Sequence, residues 1–424
     1  MFWRFFYNSL IVPLGWIGFH VVSLFSPKVR RGIAGRKTLF QNLGEQLRRL
    51  PGGAKRVWFH SSSMGEFEQA KPIIAELRRR HPEIQVVVSF FSPSGYEHSR
   101  NYKLADVITY IPFDSYLNAE KFLDLVRPSA MIMMRYDVWP NHLWAAQRRQ
   151  VPTFIASATL RSTTARRVPV LRQFFKSLYN SIDYILTVSD EDRRIFESLN
   201  VRHPLLEVIG DTRYDQVLAR SIESKARQLL SAAVVRNKRI FVVGSSWSED
   251  EDHIVPACTE LMSKLGNLLV LLVPHEPTVE HLERVEERLN GNVSKIRFSE
   301  INGYRGENFI IVDSVGVLMP LYQYATVAYV GGSFGGGVHN VLEPAVYGVP
   351  ILFGPNHKNS QEALQLLREE AAFVAEGTQP LAGLLQKLFD DEALRSRAGE
   401  RARTLVTTNA GATARFLSYL QKLL

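Results

Sequence analysis

Cysteine is almost missing from this sequence. The 424-residue chain holds a single one, Cys258. That excludes an internal disulfide, fits a reducing compartment and disfavours thiolate metal sites. No D-x-D motif and no His/Cys cluster stands out, so nothing in the sequence calls for a bound metal, and no cofactor is expected. Low-complexity tracts and short repeats are missing too. Signatures of DNA or RNA binding are also missing, although the formal net charge is +9. The basic balance therefore points to an anionic membrane surface or a phosphate-bearing substrate, with no nucleic acid partner.

Formal charge is missing from one long stretch near the start. Residues 5–25, FFYNSLIVPLGWIGFHVVSLF, are mostly apolar, and about 20 such residues can span a bilayer. Asn8, Pro13, Gly15 and His20 interrupt the run, so a helix lying in the membrane interface is the alternative. No A-x-A site ends the run, which weakens a cleaved-leader reading. Lys28, Arg30, Arg31, Arg36 and Lys37 follow at once. By the positive-inside rule they place the rest of the chain in the cytoplasm. The bland alternative is a buried core helix of the first domain.

What is present is ample apolar residue, 46% of the chain, enough for two domains of roughly 150–200 residues each. VWFHSS (57–62) and IQVVVSFFS (84–92) read as strands, as do VITYIPF, AMIMM, TFIAS, YILTV and LLEVIG, most of them separated by helical patterns. A second series begins near residue 238 with RIFVVGSS, NLLVLLVP, KIRFS, NFIIVDS, TVAYVGGS and VPILFGP. Continuous β-branched and aromatic runs alternating with helices indicate parallel sheets covered on both faces. The expected plan is a membrane helix over 1–27, a doubly wound domain over 28–215, a charged helical hinge over 216–237 and a second doubly wound domain over 238–424. Ligands in such sheets bind beyond the carboxyl ends of the strands, and a cleft between the domains is the expected site.

Two stretches carry chemistry. In YVGGSFGGGVHNVLEPAVYGVPILFGP (329–355) a strand runs into Gly331-Gly332 and then Gly335-Gly336-Gly337, with a helix expected from about Asn340. Glycines allow close backbone approach, and a helix N-terminus favours a phosphate. His339 and Asn340 stand at that start, and Glu343 could accept ribose hydroxyls. The spacing is not G-x-G-x-x-G, and no Gly-Lys-Ser/Thr follows, so neither a dinucleotide fingerprint nor a Walker loop is present. A capped glycine-rich turn is the structural alternative. The other stretch is HSSSMGEFEQAKP (60–72), which puts Glu66 where a strand hands over to a helix. Glu66 is a candidate general base; Glu68 better fits a charge that merely favours a helix N-terminus. His60 could simply satisfy local backbone, and Trp139 before Pro140 reads as core packing.

Taken together, the blocks His60-Ser61-Ser62-Ser63-Met64-Gly65-Glu66, Ser92-Pro93-Ser94-Gly95, Asp137-Val138-Trp139-Pro140-Asn141, Gly210-Asp211-Thr212-Arg213-Tyr214-Asp215, Leu272-Val273-Pro274 and Gly331-Gly332-Ser333 through His339-Asn340-Val341-Leu342-Glu343-Pro344 resemble the Kdo (3-deoxy-D-manno-octulosonate) transferases. The resemblance spans about residues 55 to 360. It implies the GT-B fold, two Rossmann-like domains facing a cleft, with an N-terminal membrane-associated helix at the cytoplasmic face of a bacterial inner membrane. It also implies inverting transfer of Kdo from CMP-Kdo to a lipid A precursor in lipopolysaccharide biosynthesis.

By this resemblance Glu66 is the proton acceptor, and Ser63 and Gly65 border the acceptor. Arg213 stands where the family usually has a lysine that stabilises the transition state. Pro274, His275, Val315, Gly316, Val317, Gly335, Gly336, Gly337, His339, Asn340, Val341, Leu342 and Glu343 would contact the nucleotide. Arg161 is a candidate for the Kdo carboxylate or a lipid phosphate. Departures are clear: Arg135 replaces a glutamate assigned as a second stabiliser, Pro274-His275 replaces Pro-Arg, and Val315-Gly316-Val317 replaces Met-Gly-Glu. The competing readings are a GT-B enzyme or epimerase that uses a UDP-sugar, and a non-catalytic relative with a decayed site, for which Arg135 is the best support.

Overall fold

A computed structural model describes residues 2–160, 168–289 and 293–424. The chain divides into two compact units, residues 1–216 with 410–424, and residues 217–409.

The first unit is built on seven strands: β1 (Arg56–Ser61), β2 (Gln85–Phe90), β3 (Val107–Tyr110), β4 (Ala130–Met134), β5 (Thr153–Ala158), β6 (Tyr184–Thr187) and β7 (Leu205–Val208). All pairs are parallel, in the order β3-β2-β1-β4-β5-β6-β7. Side chains alternate across each strand, so one apolar run supplies two cores. Trp58, Val87, Met131, Met133 and Ile155 fill one face, and Val57, Phe59, Val88, Ile132 and Phe154 the other. The helix Leu39–Arg48 covers the first face with Leu43 and Leu47. The helix Met64–Arg80 covers the second with Phe67, Ile73, Ile74 and Leu77.

Two features of this unit differ from expectation. The last helix, Ala412–Leu420, belongs here and not with the second domain, because Phe416, Leu417 and Leu420 complete the second face of this sheet. Asp215 secures it by accepting from the amides of Gly411 (2.6 Å) and Thr413 (2.9 Å). Arg36 also departs from the exposed basic cluster. Its guanidinium is drawn inside among the rings of Phe91, Tyr110 and Phe113 and donates to the carbonyls of Ile111, Gly32 and Phe91. Burial lowers its pKa to about 10.

The apolar segment is helical from Phe2 to Phe25, with one π-helical turn at Tyr7–Ile11. Its mean hydropathy of 1.5 makes it long and apolar enough to cross a membrane. One side rests on the first unit. Trp3 meets Phe174, Tyr7 meets Trp144 and donates to Asp114 (2.9 Å), Asn8 pairs with Asn141, and Phe19 packs on Phe113. Leu10, Leu14, Trp16, Ile17, Val21, Val22, Leu24 and Phe25 remain exposed.

The second unit repeats the design. Its strands are β8 (Arg239–Ser246), β9 (Leu268–Pro274), β10 (Lys295–Arg297), β11 (Phe309–Ile311), β12 (Val327–Val330), β13 (Ile351–Phe353) and β14 (Ala372–Val374). They are parallel in the order β10-β11-β9-β8-β12-β13-β14. Phe241, Val243, Val270, Leu272 and Tyr329 fill one face, and Val242, Leu271, Ile310 and Ala328 the other. Residues 217–237 group with this unit.

Candidate active site

In an open parallel sheet, ligands bind where the strand order reverses. In the first unit that point lies between β1 and β4, since β2 and β3 lie on one side and β5 to β7 on the other. Glu66 follows β1, and Arg135 and Asp137 follow β4.

Ser63 caps the helix Met64–Arg80, and Glu66 is its third residue, so the two form a capping box. The Glu66 carboxylate accepts from the amides of Ser62 (2.6 Å) and Ser63 (3.3 Å). The side chain is almost fully buried. A helix N-terminus and two N–H donors should lower its pKa. Burial, with the charge of Asp137 added, overcomes them and raises it. No bound lipid is needed for that upward shift. A Cβ added at Gly65 would meet nothing within 4 Å, so the backbone beside Glu66 is open.

Asp137 faces Glu66 across this crevice. Its Oδ2 accepts from the Ser62 hydroxyl, from His60 Nε2 (3.1 Å) and from Trp139 Nε1 (2.9 Å). His60 Nδ1 lies 2.8 Å from Ser89 Oγ, which also accepts from Trp58 Nε1 at 2.8 Å. A carboxylate accepts only, so Nε2 carries the His60 proton, and in the neutral ring Nδ1 accepts from Ser89. His60 and Trp139, expected to be structural, thus hold a carboxylate at the switch point.

Arg135 adopts a left-handed φ of 63°, a conformation that costs energy in a non-glycine residue. Among the described residues its Nε is buried with no hydrogen-bond partner. Arg213 lies in the first turn of the helix Thr212–Lys225 and pairs with Asp211 through Nε (2.8 Å) and Nη2 (2.6 Å). The helix start is tied to the Glu66 helix. Thr212 Oγ1 donates to Gln69 O (2.7 Å) and Gln216 donates to Glu68, which also pairs with Lys71. Glu68 therefore holds two helices together. Arg161 lies outside the described residues.

In the second unit the order reverses between β8 and β12. The glycine loop follows β12, and Trp247 follows β8. Asp250, fully buried, spans the gap. It accepts from the amides of Trp247 (2.9 Å), Gly332 (2.8 Å) and Phe334 (3.3 Å) and from the Tyr329 hydroxyl (2.9 Å). A Cβ at Gly331 would collide with Ser245 O at 2.2 Å, and Gly332 and Gly337 have φ of 85° and 133°. Those three glycines are required by the loop itself. At Gly336 a Cβ would meet nothing within 4 Å.

His339 and His275 join Trp247 in one assembly. Trp247 Nε1 donates to His339 Nε2 at 2.8 Å, and their rings lie 18° from parallel. The His275 ring stacks on both, 4.8 Å from Trp247 and 4.4 Å from His339. An indole only donates, so Nε2 of His339 keeps its lone pair and the proton sits on Nδ1. Burial and the neighbouring His275 lower the His339 pKa, favouring this neutral form. Pro274 ends β9 just before His275.

The helix expected from Asn340 is short, Leu342–Ala345, too short to offer a phosphate a developed dipole. Asn340 accepts from the Leu342 amide and donates to Glu343, which also approaches Arg220 at 3.8 Å. Val341 and Leu342 are buried, so any contact they make with a ligand must come from backbone. Val315 is exposed, Gly316 has φ 76°, and Val317 turns into the core. Among the described residues no group of three or more His, Cys, Asp or Glu could hold a metal ion.

Sequence reasoning missed Asp137, Trp247 and Asp250. A signal existed for the last two. SSWSED after β8 repeats the pattern of HSSSMGE after β1, and each places an acid at the third residue of the following helix.

A model of the 3-deoxy-D-manno-octulosonic-acid transferase family matches residues 37–216. The chain is 27% identical to a 3-deoxy-D-manno-octulosonic acid transferase of Haemophilus influenzae, over 99% of this chain and 98% of that protein. It is 29% identical to one from Chlamydophila psittaci, over 77% and 76%. The fold resembles a UDP-GlcNAc 2-epimerase from Neisseria meningitidis bound to UDP-GlcNAc, with a TM-score of 0.60, 15% identity, and coverage of 87% of this chain and all of that one. It also resembles MurG from Acinetobacter baumannii, with a TM-score of 0.55, 13% identity, and coverage of 87% and 99%.

Proposed function

We propose, for a chain that belongs to the Kdo transferase family and has the GT-B fold, that it transfers Kdo from CMP-Kdo to a sugar hydroxyl of a lipid A precursor, with inversion. The observation that carries this reading is Glu66, buried at the switch point of the first unit and kept basic by burial and Asp137. A sugar hydroxyl is a poor nucleophile at neutral pH, and a carboxylate of raised pKa is a better proton acceptor.

In the proposed reaction the acceptor oxygen attacks the anomeric carbon of Kdo while its proton passes to Glu66. The carbon–oxygen bond to the phosphate breaks, and CMP leaves with the electron pair. Ser63 and Gly65 border the acceptor, and Gly65 leaves the backbone approachable. The Arg213 guanidinium, about two-fifths exposed beside Asp211, is assigned to the charge that develops on the leaving phosphate. Arg135 offers a guanidinium where the family has a carboxylate, which suits a phosphate or carboxylate group of a substrate.

The nucleotide is assigned to the second unit. Supporting this are the open backbone at Gly336, the His275–His339–Trp247 assembly, and the turns carrying Val315, Gly316, Val317 and Asn340 to Glu343. The N-terminal helix is assigned to a membrane surface. It touches the first unit at Trp3, Tyr7, Asn8 and Phe19 and exposes its apolar residues elsewhere, which favours lying in the interface over spanning. The assignment that goes with this reading is the cytoplasmic face of the inner membrane.

The test is incubation of freshly prepared CMP-Kdo and lipid A precursor with wild type and Glu66→Ala. Product mass should show added Kdo with the wild type and a loss of about 100-fold or more in rate with the variant. An active Glu66→Ala protein would remove the base assignment. Thermal stabilisation by UDP and not by CMP would overturn the donor assignment in favour of a UDP-sugar enzyme.

A further inference from the structure

We propose that Asp137 is a positioning residue of this reaction, holding Glu66 in place through Ser62 across the crevice between β1 and β4. The inference rests on the reading of Glu66 as proton acceptor and names what makes that carboxylate competent.

The connection is one residue long. Ser62 donates its backbone N–H to Glu66 Oε2 at 2.6 Å and its hydroxyl to Asp137 Oδ2. A serine hydroxyl has one proton, and a carboxylate can only accept. Asp137 therefore sets the rotamer of Ser62 and helps fix the peptide whose N–H aims Glu66. Asp137 is itself held by His60 and Trp139. His60 is in turn anchored on Ser89 and Trp58, deep in the sheet. A chain of hydrogen bonds thus runs from the core of β1 and β2 to the carboxylate at the rim.

The charge pattern is unusual for a mere structural clip. All three donors to Asp137 are a hydroxyl, an indole and an imidazole, and among the described residues no lysine or arginine pairs with it. Its negative charge is therefore left to act on Glu66. Among the described residues, the charged and titratable side chains that act on Glu66 are Asp137, which raises its pKa, and His60, which opposes. Asp137 takes no part in the proton transfer itself. The proton from the acceptor hydroxyl ends on Glu66 and leaves to solvent after product release.

The test compares Asp137→Asn, Asp137→Glu, Ser62→Ala and Glu66→Gln in the full chain. For Asp137→Asn we expect kcat to fall about 10- to 100-fold with KM nearly unchanged. The acid limb of the kcat/KM profile should move down by about half a pH unit or more, because an anion beside the base is gone. Asp137→Glu should restore the limb and most of kcat. Ser62→Ala should lower kcat with the limb in place, since the charge remains. In parallel, the Glu66 carboxyl is titrated by carbon-13 NMR of glutamate-labelled protein, its resonance assigned by its loss in Glu66→Gln.

The two readings fail separately. If Glu66→Gln keeps wild-type transfer, the proton-acceptor reading falls. If Glu66→Gln is inactive while Asp137→Asn leaves kcat within about twofold and both the limb and the resonance unmoved, the assignment of Asp137 falls alone. The NMR titration decides the coupling even where transfer is too slow to follow.

Discussion

Replacing Asp250 with asparagine should loosen the glycine loop without touching a substrate atom. The Asp250 carboxylate accepts at Oδ1 from Tyr329 and Phe334 and at Oδ2 from the amides of Trp247 and Gly332. An asparagine can keep its oxygen toward the first pair, but its NH2 then faces two N–H donors. Two hydrogen bonds to a charged acceptor are lost, at about 1.5–3 kcal/mol each. Burying a neutral amide in place of an ion offsets part of that loss. A net local cost of about 2–4 kcal/mol corresponds to roughly 30- to several-hundred-fold more frequent opening, at 1.4 kcal/mol per factor of ten. Hydrogen exchange read by mass spectrometry on peptides covering residues 331–337 measures it directly. Exchange there should accelerate by that factor, while β9 keeps its protection. Acceleration below about fivefold, or equal acceleration in β9, would refute the reasoning.

Glu66→Gln should raise the melting temperature at pH 7.5. The folded-state pKa of Glu66 is raised, so its stabilising form is the protonated one. That contribution is complete below the ordinary glutamate value and is lost as pH rises through the folded value. The advantage of the variant should therefore vanish near pH 4 in scanning calorimetry, and an advantage that persists there would contradict the assignment. Trp247→Phe keeps a ring beside His275 but removes the N–H held by His339 Nε2. CMP affinity by calorimetry should drop about 3- to 10-fold, near the worth of one hydrogen bond. Phe416→Ala should destabilise the first unit by about 3–5 kcal/mol, because this fully buried ring packs on Phe154 at 5.6 Å. Thermal unfolding reads that loss.

Much of the site was legible because it is written in local chemistry. A serine three residues before a glutamate, after an apolar run, announces a capped helix, and Glu66 is indeed the third residue of one. Glycines at 331, 332 and 337 announce close approach and positive φ, and the loop requires both. The fate of Arg36 was not legible, because a basic residue after an apolar helix looks like its neighbours until the rings of Phe91, Tyr110 and Phe113 surround it. The last helix was misplaced for a similar reason. An amphipathic pattern shows that a face must be buried but not which sheet will bury it.

By itself, then, the sequence determined the two parallel sheets, the strand-to-helix turns that carry Glu66 and the glycine loop, and an apolar helix at the start. These follow from periodicity and turn chemistry, which act over a few residues. Tertiary structure alone decided that β1 lies beside β4 and β8 beside β12. That strand order brings Asp137 to Ser62 across 75 residues and Asp250 to Gly332 across 82. No local rule couples residues so far apart in the chain. The turn places Glu66 at a rim, and the neighbouring strand's carboxylate helps raise its pKa.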